Sequence, residues 1–565
     1  MGFRLAVIAV ALLAGLPAAA RDDAPRTHMV ATANPHATDA GLEILRRGGS
    51  AVDAVIAIQL VLTLVEPQSS GIGGGAFLVL HDAAEDKVLA YDGRETAPAD
   101  IDHTLWLNAE GDPHSKGDMM PGGRSVGVPG VIRMFELAHE MHGKLPWADL
   151  FAPAMTLATE GFEVSPRLNL LLGRDKHLKR FPATTAHYFT AEGEPLPVGH
   201  VLKNPAFAET LAAIAADPDS FYQGPIAEDI IAAVQNAPVN PGALNLSDMA
   251  AYEPKVRDAV CGTYRAQKVC GMPPPSSGGV AILQILKILE GFDMAENAPI
   301  SAASANLFSE AARLAYADRA KWLADSDVVP VPVAGLISDD YLGDRRSLVT
   351  PGEIMTDAPA GSPPGVEQAF TAAEPGEVPA TTHYSVVDQW GNVAAMTSSV
   401  ENAFGSRLMV RGFLLNNQLT DFTFAPEEDG APVANRPGPR KRPLSSMSPT
   451  LVFDEEGRPI MTLGSPGGPL IISFVAKTLV GLLDWGLTMQ QAIELPNYIF
   501  FGDSLIIERD SALWDVQADL EAMGYQLRPA GLTSGLQGIV IHHDDKGRWL
   551  EGGADPRREG TVAGD

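Results

Sequence analysis

Apolar residues recur with helical spacing from Asp39 to Arg47 and again from Ser50 to Val65, and the intervening Arg-Arg-Gly-Gly predicts a break between two helices. The second segment, "AVDAVIAIQLVLTLV" from Ala51, is apolar on every side apart from Asp53, Gln59 and Thr63, the pattern of a helix buried in a large core. Ser50 with Asp53 three residues on resembles a capping box at its start. "SSGIGGGAFLVL" from Ser69 predicts a Gly-rich turn entering a strand, and "KVLAYDGRETAPA" predicts the next strand and a loop. Helical patterns dominate to about Leu289, interrupted at "VCGTYRAQKVCGM", which reads as a hairpin turning at Arg265-Ala266. From Thr350 to Ala380 the periodicity lapses into Pro, Gly and acids, as in an exposed connector. Alternation resumes at Thr381: "HYSVVD", a "QWGN" turn and "VAAMTSSV" predict strand, turn and strand. Further strands are expected at "GFLLNN", "PTLVFDEEGRPIMTLG" and "LIIERD", with helices near 471–483 and 513–523. Helices and strands without regular βαβ alternation predict a layered α+β fold.

Composition narrows the function classes. The 565 residues are 45% hydrophobic and 20% charged, which is globular. The net charge of −29 excludes the basic footprint that nucleic acid or an anionic membrane surface requires. "MGFRLAVIAVALLAGLPAAARDD" has a basic start at Arg4, an apolar run and a small-residue ending. It reads as a signal peptide over residues 1–20, so the protein is expected to be exported, to the periplasm or the medium, with no membrane anchor afterwards. Cys261 and Cys270 face each other across the expected hairpin and are a candidate disulfide in an oxidising compartment, with two buried thiols as the alternative.

Several motifs resemble chemistry without its context. "GIGGGA" has a helix before it and a strand after it, the reverse of a dinucleotide-binding turn. "GDSL" at Gly502 leads into a strand and reads as a turn. His139 and His142 in "HEMH" are spaced i, i+3 where a zinc-protease helix needs i, i+4, so a solvated helix face is expected. His542-His543-Asp544-Asp545 reads as a charged turn, and "PATTAHY" at Pro182 lacks the strand that follows "PATTHY" at Pro379. No metal or organic cofactor is implied.

"PATTHYSVVD" is different. A threonine hydroxyl is a poor nucleophile and needs a base, and a cut just before the threonine supplies one, its own α-amino group. The reference pKa of that group, ~7.7–8.0, leaves a useful neutral fraction near pH 7. Taken alone, the stretch reads as an ordinary strand start.

Together with "LLNNQLTDF" (Leu414 to Phe422), "KRPLSSMSPT" (Lys441 to Thr450) and "GSPGG" (Gly464 to Gly468), "TTHYSVVD" resembles the gamma-glutamyltransferase (glutathione hydrolase) family. Upstream, "GSAVDAVIA", "SGIGGGAF", "DGRETAPA" and "MPPPSSGG" fit the same family in the same order, over nearly the whole mature chain. The resemblance implies a four-layer αββα sandwich of the N-terminal-nucleophile hydrolases. It implies self-cleavage between Ala380 and Thr381, giving a large subunit (21–380) and a small subunit (381–565) that stay interleaved as a heterodimer. Thr381 then matches the nucleophile and general base, Ser399 a hydroxyl bonded to it, and Gly467 and Gly468 the oxyanion-hole pair. Arg94 matches the arginine for the donor α-carboxylate, with Ser445 and Ser446 beside it. Asp421 matches the acid facing the α-ammonium, and Gln418 and Glu401 align with its neighbours.

The implied activity takes the γ-glutamyl group from glutathione or related amides, through an ester on Thr381, to water or to amino acids and peptides. Ser399 replaces a threonine found in many relatives, and Glu401 stands at a position that is Asn in some and Glu in others. Ala380 replaces a larger polar residue. The lid segment from Thr423 to Arg440 is shorter than the longest in the family and has no tyrosine. Two other functions are weighed: a glutaryl or cephalosporin acylase of the same fold, expected to lack the acid at Asp421, and a self-cleaved but inactive binding protein.

Overall fold

The structure, a computed structural model, describes residues 26–366, 368, 370–371, 380–545 and 547–565. The expected signal segment and the last part of the connector lie outside the described residues. The apolar segment forms a helix over Ala51–Val65 in which every residue is buried. Ser50 closes the expected capping box with Asp53. A carboxylate at such depth is costly unless bonded, and Asp53 Oδ2 accepts from the backbone N–H groups of Ser50 (2.8 Å), Lys144 (2.9 Å) and Leu145 (3.1 Å). Gln59 is satisfied in the same way: it donates to Ser70 Oγ at 3.1 Å and accepts from the Tyr384 hydroxyl at 3.2 Å.

That helix lies on a seven-stranded antiparallel sheet in the order Thr561–Gly564, Met29–Thr32, Thr382–Val387, Val393–Ser399, Gly75–Asp82, Lys87–Gly93, Lys255–Asp258. Alternation along the strands decides which side chains meet which layer. Val30, Leu78, Val386, Ala394 and Met396 share one apolar cluster with the helix. Met29, Val79, Val387 and Ala395 turn to the opposite face and share a second cluster with Val452, Leu463 and Ile541. Those last residues belong to a six-stranded antiparallel sheet, in the order Gly547–Ala554, Gln537–Asp544, Pro459–Gly464, Thr450–Phe453, Gln267–Gly271, Val260–Tyr264. Helices Gly278–Leu289 and Ile471–Leu483 cover its far side. The layers therefore run helix, sheet, sheet, helix, as the αββα expectation requires. Both sheets interleave strands from before and after residue 380.

Cys261 and Cys270 sit directly opposite in the edge hairpin and are joined by a disulfide, S–S 2.08 Å. Arg265 (φ 49°) and Ala266 (φ 71°) take the left-handed conformation that a tight two-residue hairpin turn demands.

Some local expectations change. "GFLLNN" yields only the two-residue strand Phe413–Leu414 before the chain turns into the short helix Gln418–Asp421. His139 and His142 are not on a solvated face. His142 meets the Tyr91 hydroxyl (2.6 Å) and Asp82 (3.3 Å), and His139 meets the Leu145 carbonyl (2.9 Å) and Asp53 (3.6 Å). His542 to Asp544 end a strand, with the His542 ring stacked on Trp549 at 3.6 Å between centroids. "PATTAHY" is helical, and its Thr184 hydroxyl caps the Arg407 carbonyl.

Candidate active site

Thr381 immediately precedes the strand Thr382–Val387, in the middle of the seven-stranded sheet, and is buried. Its hydroxyl Oγ1 lies against the carbonyl oxygen of Ala380, the residue across the expected cut. Ser399, the last residue of the neighbouring strand, completes the arrangement. Its Oγ is 3.2 Å from Thr381 Oγ1 and donates to the Ala380 carbonyl at 2.9 Å. The nucleophile candidate, the carbonyl it would attack and a second hydroxyl thus meet in one triangle. From the other side Arg558 donates to the Thr381 carbonyl at 3.0 Å and to the Ser534 carbonyl at 2.7 Å, so the carbonyls before and after the Thr381 side chain are both held.

His383, two residues on, takes no part. It is fully buried between Thr397 Oγ1 (2.8 Å) and Ser385 Oγ (3.2 Å), and burial pushes its imidazole down to about 3, so it is neutral at ordinary pH. The first glycine of "GSPGG" exists for this ring, since a Cβ on Gly464 would lie 2.4 Å from it.

A small cleft opens beside Thr381, lined by Ser399, Glu401, Gln418, Asp421, Ser445, Ser446 and Gly468 among others. Gly467 precedes Gly468, at φ 141° and 57°, a backbone region that L side chains rarely adopt. Gly467 also passes close to Phe474, whose ring a Cβ would meet at 2.8 Å. Glu401 has φ 78°, a strained value for a residue with a side chain, which turns its carboxyl into the cleft. Its backbone N–H donates to Ser399 Oγ at 2.9 Å. Asp421 ends the short helix that starts at Gln418, whose own N–H is capped by Asn416 Oδ1 at 3.0 Å.

Arg94 stands fully buried behind Asp421. Its guanidinium donates to Asp421 Oδ2 (2.6 Å), to the Leu444 carbonyl (2.9 Å) and to the Pro443 carbonyl (3.1 Å). Ser445 and Ser446 follow those two carbonyls. "MPPPSSGG" supports them: the Ser445 carbonyl accepts from both the N–H and the hydroxyl of Ser277, each at 2.7 Å. A Cβ on Gly278 would strike Ser448 Oγ at 2.2 Å and one on Gly279 the Met272 carbonyl oxygen at 2.6 Å, which is why two glycines follow the serines.

The comparisons fit this geometry. The family model described as gamma-glutamyltranspeptidase matches residues 37–565. The chain belongs to the gamma-glutamyltranspeptidase family. It is 37% identical to the glutathione hydrolase proenzyme of Escherichia coli (strain K12), covering 94% of this chain and 90% of that one. It is 34% identical to that of Bacillus subtilis (strain 168), covering 96% and 92%. The cephalosporin acylase of Bacillus halodurans superposes with a TM-score of 0.82 at 27% identity, over 99% of both chains. Members of the gamma-glutamyltranspeptidase family are thus named both as hydrolases of glutathione and, among their structural neighbours, as acylases.

Within this gamma-glutamyltranspeptidase frame the structure adds residues that sequence patterns did not single out. Lys116 places its Nζ 3.3 Å from Glu401 Oε1 and 4.0 Å from Asp421 Oδ1. Arg319 donates to Ser277 Oγ (2.9 Å) and Ser446 Oγ (2.7 Å) from the helix Ala302–Trp322. Asn417 donates to Glu401 Oε2 at 2.5 Å. Glu95 lies fully buried beside Arg94, and burial pushes its carboxyl up to about 8 despite that cation. Each reaches the site from a segment whose local pattern is an ordinary helix or loop. Only Asn417 and Glu95 sit inside motifs already recognised.

Proposed function

We propose that the precursor cuts itself between Ala380 and Thr381 and then acts as a gamma-glutamyltransferase and glutathione hydrolase. The observation that carries this is the Thr381 hydroxyl against the Ala380 carbonyl, with Ser399 Oγ bonded to both. In the precursor, Thr381 Oγ1 adds to the Ala380 carbonyl carbon. The C–N bond breaks, an ester forms, and water hydrolyses it to an Ala380 carboxylate and a Thr381 α-amino group.

In the mature enzyme that amine takes the hydroxyl proton as Oγ1 adds to the γ-amide carbon of the donor. The developing oxyanion is met by the backbone N–H groups of Gly467 and Gly468, preorganised donors of the kind that carry much of such catalysis. The leaving amine departs with the proton, and the γ-glutamyl ester passes its acyl group to water or to an amine. The donor α-carboxylate lies toward Arg94, Ser445 and Ser446, and its α-ammonium toward Asp421, Glu401 and Gln418. A planar guanidinium fixed by two carbonyls presents its remaining N–H groups in a set direction. We also read the chain as exported after removal of residues 1–20, which the disulfide supports. Among the described residues no helix is long and apolar enough to cross a membrane.

The likeness to the cephalosporin acylase supports a second reading, an acylase taking glutaryl-type donors. Release of a chromophoric amine from γ-glutamyl and glutaryl anilides separates the two. Preference for the γ-glutamyl anilide is expected, and preference for the glutaryl anilide gives the second reading. Thr381→Ala is expected to stay uncut on a denaturing gel and to turn over neither donor. An uncut, fully active variant refutes the mechanism.

A further inference from the structure

Glu401 and Asp421 each have one carboxylate oxygen committed to the protein. Asn417 holds Glu401 Oε2 at 2.5 Å, and Arg94 holds Asp421 Oδ2 at 2.6 Å. The other two oxygens, Glu401 Oε1 and Asp421 Oδ1, both face a third group, the ammonium of Lys116, at 3.3 and 4.0 Å. These are the oxygens that a donor α-ammonium would need, so a cation of this chain already stands where the donor's cation is expected.

Lys116 is not a wandering surface side chain. It opens the short helix Lys116–Met119, and its side chain is 17% exposed. Met119 of that helix is buried in a small apolar cluster with Leu419, two residues before Asp421, and Phe422, the residue after it. Asn240 fixes the next turn by donating to the Asp118 carbonyl at 2.7 Å. The lysine is thus delivered to the acid pair by the packing that also places Asp421.

We infer that Lys116 is a tethered stand-in for the donor's α-ammonium and a specificity residue of this enzyme. The inference rests on the donor-site assignment above. A γ-glutamyl donor must displace the lysine from the two oxygens before its own ammonium can bind there. A donor with a methylene at that carbon, such as a glutaryl amide, binds with the lysine in place and keeps both acids paired. Lys116 therefore narrows the preference between the two donor classes by penalising the ammonium-bearing one.

The test uses the processed enzyme and the two anilides, with Lys116→Gln, Lys116→Arg and Asp421→Asn beside wild type. Lys116→Gln is expected to raise the γ-glutamyl to glutaryl ratio of kcat/KM by about fivefold, the size of one ion pair regained by the donor. The gain should fall in KM for the γ-glutamyl donor, and Lys116→Arg should restore the wild-type ratio. A ratio that stays within about twofold of wild type, less than half the expected change on a free-energy scale, overturns the proposal. So does a Lys116→Arg variant that matches Lys116→Gln, which would indicate packing alone, or a Lys116→Gln precursor that fails to cut itself. Asp421→Asn separates the two levels. If it lowers the ratio while Lys116→Gln does not move it, the lysine proposal alone fails. If Asp421→Asn also leaves the ratio unchanged, the donor-site assignment fails and the lysine proposal falls with it.

Discussion

At the scale of single residues, Glu95 shows how burial tunes the charges behind Asp421. It is enclosed beside Arg94, with Nη1 of the arginine 3.7 Å from Oε2, and its neighbour Gly75 passes so close that a Cβ there would lie 2.2 Å from that same oxygen. Burial outweighs the arginine and lifts the carboxyl from 4.5 to about 8. Near neutral pH Glu95 is therefore protonated, and Asp421 is left as the acid that engages the guanidinium. The linkage has a definite sign. Between pH 4.5 and about 8 the folded protein holds a proton that the unfolded chain releases, so this group's contribution to stability is complete below pH 4.5 and is lost as pH rises toward 8. Replacing it by an amide of the same shape removes the linkage. Glu95→Gln is expected to flatten the fall of stability between pH 5 and 8, followed through the thermal midpoint, by an amount on the order of a few kcal/mol across the window. Parallel melting curves of variant and wild type over that range would show that Glu95 is ionised in the fold.

At the scale of elements, the glycines before the strand Gly75–Asp82 position the strand end at Ser399. A Cβ on Gly74 would lie 2.2 Å from the Ser399 carbonyl, and one on Gly73 would lie 2.1 Å from the Leu414 carbonyl. Both obstacles are backbone, which cannot swing aside as a side chain can. Gly74→Ala is therefore expected to push Ser399 off the Thr381 hydroxyl and slow self-cleavage by about a hundredfold, the scale of an ångström of misplacement. A time course of the purified precursor on a denaturing gel measures it, and cutting at the wild-type rate would remove the glycines from the site's support.

The same element shows what was legible beforehand. "GIGGGA" could be excluded as a dinucleotide turn because helix and strand flank it in the wrong order, and the buried helix, its capping box, the cysteine hairpin and the strands around Thr381 could all be read from periodicity and turn residues. The site could be read only through motifs acting together, since Arg94, Asp421 and Ser445 alone resemble any surface or capping residue. Lys116 and Arg319 were not legible. Their partners lie 285 and 127 positions away in Glu401 and Ser446, and nothing in a local pattern encodes such contacts. The two histidines of "HEMH" were misread for the same reason, because Asp53 and Asp82 come from other segments.

At the scale of the whole molecule, the interleaving decides what a cut at residue 380 does. The strand Met29–Thr32 is flanked on both sides by strands from beyond the cut, Thr561–Gly564 and Thr382–Val387. The strand Val393–Ser399 has Gly75–Asp82 as one neighbour, and in the second sheet Thr450–Phe453 is paired with Gln267–Gly271. Separating the pieces would therefore strip hydrogen bonds from four strand pairings and open both apolar faces of the large sheet to water. Burial of this kind, at roughly 25 cal/mol per Å² of apolar surface, is far larger than any entropy released by parting the chains. Contacts to Asp565 tighten the same seam, since the backbone N–H groups of Thr27 and His28 donate to its carbonyl and Arg46 pairs with its side chain. Cleavage should then free the Thr381 amine without loosening the fold. The processed protein is expected to show two chains on a denaturing gel yet elute as one species of unchanged size in native gel filtration, at protein concentrations down to the nanomolar range. Its thermal midpoint should match that of uncut Thr381→Ala to within a few degrees, because both forms keep every strand pairing. Chains that part in native buffer, or a midpoint that collapses on cutting, would mean that the connector before Thr381 holds the halves together and that the paired strands do not.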